Sequence, residues 1–254
     1  MSLLDTISKP ADKPAIITVA GEAGVGKTRF AGTFPKGIFI RAEDGMQSIP
    51  DAERPDAFPV VTSPDDVYNQ LSTLIKEEHD YKTLVIDSVT ALEAVFIKHV
   101  VDTDPKEPKS INQALGGYGA GLRKVAAMHA RVRKAAGILR DKRGMAVVFI
   151  AHTDTETIDP PDGEPYTRLS LRLGSRSMQP YVDDVDAVGM IAIERFIRGD
   201  DDGPGKATTS GQRILKMQSS VAHVSKNRFG IEKEILLNEG ENPLAGIVPG
   251  AGEK

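Results

Sequence analysis

The sequence predicts an α/β fold: a mostly parallel central sheet flanked by helices, with an antiparallel extension near the C-terminus. Short apolar runs rich in β-branched residues recur at 15–20, 37–41, 83–87 and 145–150. Segments of helical periodicity separate them, and strands alternating with helices give a parallel sheet covered on both faces. Late in the chain, runs at 187–193 and 213–217 flank a turn-rich 199–211, the pattern of an antiparallel pair.

Taken in order, residues 1–14 are polar and hold Pro10 and Pro14, which suits a loose arm. The strand at 15–20 (AIITVA) enters a glycine-rich loop. A helix opening at 27–33 must stop before Pro35, because proline disfavours helical backbone in the residue ahead of it. GIFIR at 37–41 is the second strand. Pro64-Asp65-Asp66 starts a helix on which Val67, Leu71, Leu74 and Ile75 recur at helical spacing. TLVID at 83–87 is a third buried strand, running into an apolar helix at 89–101. Two prolines and the run Gly116-Gly117-Tyr118-Gly119-Ala120-Gly121 make 102–121 a mobile loop. Leu122, Val125, Val132, Ala136 and Leu139 stripe a helix over about 121–142. MAVVFI at 145–150 is the fourth strand. Residues 153–180 form a long loop or hairpin in which Leu169, Leu171 and Leu173 alternate with polar neighbours. One domain is expected over 15–238, followed by a disordered tail at 239–254, punctuated by Gly and Pro.

Composition narrows the function. A chain of 254 residues with 40% hydrophobic content supports one sizeable core. The absence of cysteine excludes disulfides, thiolate metal sites and cysteine nucleophiles, and fits a reducing cytoplasm. Met1–Thr6 carries no signal-peptide pattern. The best membrane candidate, 84–101, is broken by Asp87, Glu93, Lys98 and His99, so no membrane association is expected. A net charge of -4 argues against a constitutively basic nucleic-acid coat.

The chemistry is carried by Gly21-Glu22-Ala23-Gly24-Val25-Gly26-Lys27-Thr28, which meets every fixed position of the P-loop pattern G-x-x-x-x-G-K-[ST]. Its glycines let the backbone wrap so that successive N–H groups face phosphate oxygens, and the helix that follows adds positive potential. The expected ligands are ATP and Mg²⁺, with Lys27 on the β- and γ-phosphates and the Thr28 hydroxyl on the metal. Asp87 ends a buried strand, where a carboxylate can hold Mg²⁺ through water. Ser88 follows it, so a base for the attacking water must come from elsewhere. Glu43, just past the second strand, lies at the same sheet edge, where ligands of such sheets bind. Asp44 beside it competes. His152 ends the fourth strand and can report on the γ-phosphate.

These elements together resemble RecA-core ATPases. GIFIRAEDG is similar to the strand whose glutamate activates water, TLVIDSVTAL to the magnesium-site strand, and VVFIAH to the strand ending in a polar sensor. Lys226-Asn227-Arg228-Phe229-Gly230 resembles a K-N-R-F-G motif and the Lys-x-Arg finger of hexameric helicases. The resemblance implies that Lys226 and Arg228 reach a neighbouring subunit's γ-phosphate in a ring or filament.

More narrowly, the chain resembles phage-encoded RecA-like proteins, among them single-strand annealing proteins, which would place it in the host cytoplasm. Set beside full-length recombinases, the sequence is not expected to form their separate N-terminal or C-terminal DNA-binding domain, and the Lys27–Glu43 interval is shorter than in RecA. That leaves ATPase chemistry in place and speaks against autonomous strand exchange.

The resemblance also implies single-stranded DNA as partner, held by loops at 103–121 and 153–179, and a single-strand binding protein as a second partner. The first offers Lys106, Lys109 and Tyr118, the second Tyr166, Arg168, Arg172 and Arg176. Between the loops, Arg123, Lys124, Arg131, Arg133, Lys134, Arg140, Lys142 and Arg143 stand against the single acid Asp141, although a solvated helix face explains such a run equally well. Recombination or annealing is the expected function. The alternatives are an ATP-gated accessory module, such as a helicase loader or packaging partner, and a P-loop kinase. Against the kinase, there is no Arg-rich lid segment.

Overall fold

A computed structural model describes residues 2–9, 11–198, 206–218 and 220–252. The first strand, β1 (Ile16–Gly21), is buried at every position, as an unbroken apolar run demands of a strand covered on both faces. Helix α1 (Lys27–Gly32) follows the loop, then β2 (Gly37–Arg41) and a two-residue edge strand β3 (Asp56–Ala57). Helix α2 (Pro64–Lys76) starts at a capping box in which Ser63 and Asp66 satisfy each other's backbone N–H groups. Strand β4 (Thr83–Asp87) leads into α3 (Val89–Asp102), capped by the Ser88 hydroxyl accepting from the Ala91 N–H at 3.1 Å. Helix α4 (Ala120–Arg143) ends at Gly144 in the left-handed conformation, φ 62°, where glycine is favoured.

Strand β5 (Ala146–Ile158) is twice the expected length. Its first half is buried in the sheet, and its second half leaves the sheet to form a hairpin with β6 (Tyr166–Leu171). After the short helix α5 (Gln179–Val182) come β7 (Ala187–Arg198), β8 (Lys206–Lys216), β9 (Lys226–Asn227) and β10 (Ile235–Leu237). The expected antiparallel pair is β7 with β8. Much of the turn predicted at 199–211 falls on 199–205, outside the described residues.

The sheet order is β10-β8-β7-β1-β5-β4-β2-β3, parallel from β7 to β3 and antiparallel at β8 and β10. In register, Gly21 lies beside His152, and Asp87 lies between Ile150 and Arg41. The carboxyl ends of four adjacent strands therefore meet along one edge. Helices α2, α3 and α4 bury Leu71, Leu92 and Val132 on one face of the sheet.

Among the described residues one short α-helix, the six-residue α1, packs on the other face, and here the expected disordered tail needs correcting. Leu244, Val248 and Ala251 are buried with Phe30, Phe34 and Val148, and the Ala15 N–H donates to the Pro249 carbonyl at 2.8 Å. Glycine and proline mark turns in this segment, while apolar residues at positions 244, 248 and 251 give it a buried side. The loop at 102–121 is also tied down. Buried Asp104 accepts from the backbone N–H of Leu115 at 2.5 Å and of Lys106 at 3.0 Å. Among the described residues no helix is long and apolar enough to cross a membrane.

Leu244 is fully buried, so Leu244→Ala is expected to cost about 2–5 kcal/mol, read as a lower urea midpoint. An unchanged midpoint would show that the C-terminal segment does not belong to the folded core.

Candidate active site

The P-loop turns on Gly24 and Gly26, at φ 75° and 97°, and a Cβ at Gly21 would lie 2.7 Å from the Ile191 carbonyl oxygen. The turn buries Lys27, whose ammonium donates to the carbonyls of Gly21 at 3.0 Å and Glu22 at 2.8 Å. Burial lowers the Lys27 pKa, and the nearby Asp87 and Glu43 oppose that shift. The ammonium sits at the wall of a cavity of about 450 Å³, lined by the P-loop, Glu43, Asp87, His152 and Arg213.

The Thr28 hydroxyl donates to Asp87 at 2.7 Å. Asp87 is nearly inaccessible, and burial raises its pKa while the Thr28 bond works the other way. A hydroxyl and a carboxylate side by side are the hard oxygen donors that Mg²⁺ takes, directly or through water, when phosphates supply its other ligands. Among the described residues there is no group of three or more His, Cys, Asp or Glu that could hold a metal.

Glu43 and Asp44 diverge. The Glu43 carboxylate reaches into the cavity, its oxygens 3.2 and 3.4 Å from His152 Nε2. Hydrogen bonding to His152 lowers its pKa against the opposing effect of burial, with the Ser88 hydroxyl and Lys27 assisting. Asp44 turns outward to Arg41 at 3.3 Å and Gln47 at 2.8 Å. The other ring nitrogen of His152, Nδ1, lies 3.4 Å from the Lys27 ammonium, and its backbone N–H donates to Thr90 at 3.0 Å. Glu43, His152 and Lys27 thus form one line of contacts.

The family described as AAA domain matches residues 13–229, most of the chain. The chain belongs to this AAA-domain family. No curated protein matches it. The resemblance seen in the sequence is thereby carried to the level of a P-loop, AAA-type nucleotide-binding domain.

In this AAA domain Lys226 and Arg228 lie away from the cavity. Strand β9 pairs with Ala187 and Val188 at the start of β7, toward the amino end of the parallel strands. Lys226 bonds the Asp183 carbonyl, and Arg228 pairs with Asp186 at 3.0 Å.

The residues expected at DNA separate into groups. Tyr118 is 98% exposed, its carbonyl accepts from Arg123 at 3.0 Å, and Arg176 from the other loop packs against Gly119. Lys106 and Lys109 are exposed on the same loop. Arg168 is instead bound to Glu156 at 2.6 and 2.9 Å, and Arg172 donates to the Thr153 carbonyl at 3.1 Å. Tyr166 is partly exposed beside a hairpin tip that carries Asp159, Asp162 and Glu164. On α4, Arg131 lies over the Tyr68 ring, Arg133 bonds the Asp184 carbonyl, Arg140 faces Asp186, and Arg143 holds Ile75, Glu77 and Glu78. Much of that helix's charge is spent on packing within the chain.

The AAA domain places two further cations at the cavity, Arg29 and Arg213. Arg29 directly follows the P-loop and was within reach of sequence reasoning. Nothing in the sequence around Arg213 signals its place.

Lys27→Ala is expected to abolish tight ATP binding in a calorimetric titration, because it removes the buried cation at the cavity wall that the P-loop pattern assigns to the β/γ-phosphates. Unchanged affinity would exclude the cavity as the nucleotide site.

Proposed function

We propose that this AAA domain hydrolyses ATP with Mg²⁺ and couples turnover to single-stranded DNA, as an oligomer working in recombination or annealing. The observation that carries the hydrolytic reading is the Glu43 carboxylate, held ionised against His152 at the wall of the cavity that Lys27 enters. Bound Mg²⁺ would neutralise phosphate charge, with Thr28 and Asp87 as its protein partners.

Lys27 exchanges the Gly21 and Glu22 carbonyls for β/γ-phosphate oxygens and compensates their charge. Glu43 takes the proton of a water as its oxygen attacks the γ-phosphorus. The bond to the β–γ bridging oxygen breaks, leaving ADP and phosphate. His152, between Lys27 and Glu43, is placed to register the change.

From His152 the chain continues directly into the β5–β6 hairpin, and the Arg172 N–H returns to the His152 carbonyl at 2.8 Å. Four residues later Arg176 meets Gly119, next to exposed Tyr118. A stacking ring with Arg123 and Arg176 beside it suits a single strand whose phosphates need cations and whose bases need a platform. In an oligomer, Lys226 and Arg228 would serve a neighbour's nucleotide, since they lie far along the sheet from their own. A second reading, an ATP-gated accessory module, is favoured by the hairpin tip, because Asp159, Asp162 and Glu164 suit a basic protein partner better than DNA.

Phosphate release measures both parts. Glu43→Gln is expected to keep ATP binding and lose about 10²–10⁴-fold in turnover. An oligonucleotide is expected to accelerate the wild type, and Tyr118→Ala with Arg176→Ala to lower that acceleration. Full turnover in Glu43→Gln would remove the hydrolytic assignment. Failure of any oligonucleotide to bind or stimulate at low salt would replace the DNA reading with the accessory one.

A further inference from the structure

Strand β8 carries no motif residue, yet it delivers Arg213 to the mouth of the nucleotide cavity. A Cβ built on Gly26 would lie 3.2 Å from Arg213 Nε and 3.3 Å from its Cδ, so the side chain packs directly on the P-loop backbone. Arg213 lines the P-loop cavity with Gly24, Gly26 and Lys27, and also a smaller one beside it with Phe30 and Asn238.

The approach is set by a bulge. Strand β7 pairs Ile193 with Arg213 but Arg195 with Thr209, so Ser210, Gly211 and Gln212 stand opposite Glu194 alone. Gly211 has φ 77°, and the Ser210 hydroxyl both donates to Glu194 at 2.8 Å and accepts from the Gln212 N–H at 3.2 Å. Bulges next to active sites re-aim a side chain, and this one immediately precedes Arg213.

The other two cations of the cavity have polar partners within the chain. Lys27 holds two carbonyls, and Arg29 faces Glu239 at 2.6 Å and Glu53 at 3.7 Å. The Arg213 side chain has no hydrogen-bond or ion-pair partner among the described residues.

We propose that Arg213 is a second cation of the nucleotide site, acting within its own subunit on the α/β side of the bound polyphosphate. This rests on the P-loop reading of the cavity. The loop's backbone N–H groups cradle the α- and β-phosphates while Lys27 serves the β- and γ-phosphates, so a guanidinium over Gly26 meets the opposite end of the chain of phosphates from Lys27. Arginine suits that position because its planar fork gives two parallel bonds to phosphate oxygens. Its contribution is to ground-state binding of di- and triphosphate alike, unlike a finger that acts in the transition state.

Calorimetric titrations of ATP, ADP and inorganic tripolyphosphate into wild type, Arg213→Ala and Arg213→Lys test this. Arg213→Ala is expected to weaken all three by a similar factor, roughly tenfold or more, and Arg213→Lys to recover part of the loss. KM for ATP should rise with the loss of affinity, while kcat at saturation moves much less. Since the Arg213 side chain is exposed and has no polar partner among the described residues, both variants are expected to keep the wild-type urea midpoint. Unchanged affinities in Arg213→Ala would overturn the proposal, as would a fall confined to kcat. A loss with ATP and ADP but not with tripolyphosphate would put the guanidinium on the base or sugar and overturn the phosphate assignment. If wild type bound none of the three, the P-loop reading itself would fail, which a normal wild type with an indifferent Arg213→Ala would not imply.

Discussion

A buried ammonium is the constraint around which this AAA domain is arranged. Lys27 cannot be desolvated without partners, and the fold supplies Gly21 and Glu22 carbonyls, His152 on one side, and the charges of Asp87 and Glu43 nearby. Each partner also acts on the others. Burial drives Asp87 toward its neutral form, while the hydrogen bond to His152 keeps Glu43 charged. On the proposed reading a polyphosphate would enter this set by exchange, taking the Lys27 donors from the Gly21 and Glu22 carbonyls, and the Thr28–Asp87 pair would hold Mg²⁺.

The sheet makes that arrangement possible. Gly21, His152, Asp87 and Glu43 come from positions spread over more than half of the chain, and no local motif joins them. Parallel registry does, since β1, β5, β4 and β2 lie side by side and end on one edge. The same topology leaves β9 toward the other end of the sheet, so the chain holds Lys226 and Arg228 apart from the P-loop. The antiparallel strands add Arg213 from the opposite flank. Two flanks of one sheet thus bracket the P-loop.

The central strands were legible because each is a continuous apolar run, and a strand buried on both faces needs no other signal. The P-loop was legible because its geometry demands glycine at fixed places. Legibility faded where tertiary contacts decide. Strand β5 runs past His152 because β6 pairs with it, although residues 153–158 look like a polar loop. The segment bearing Leu244 and Val248 packs because α1 is too short to cover its face of the sheet. Charge was the poorest guide. The cations of α4 look like a binding surface in one dimension, but Arg131, Arg133, Arg140 and Arg143 all have partners within the fold. Glu43 and Asp44 were indistinguishable by position, and only the turn after β2 separates them.

His152 lies 3.4 Å from Lys27 and 3.2 Å from Glu43, and we propose that it links bound nucleotide to Glu43. Nitrogen NMR of histidine-labelled protein tests it directly, with the His152 signals assigned by their loss in His152→Gln. Adding Mg²⁺ and a non-hydrolysable ATP analogue is predicted to shift both ring nitrogens of His152, and Glu43→Gln to move Nε2 before any nucleotide is added. His152 signals indifferent to both nucleotide and Glu43→Gln would contradict the account.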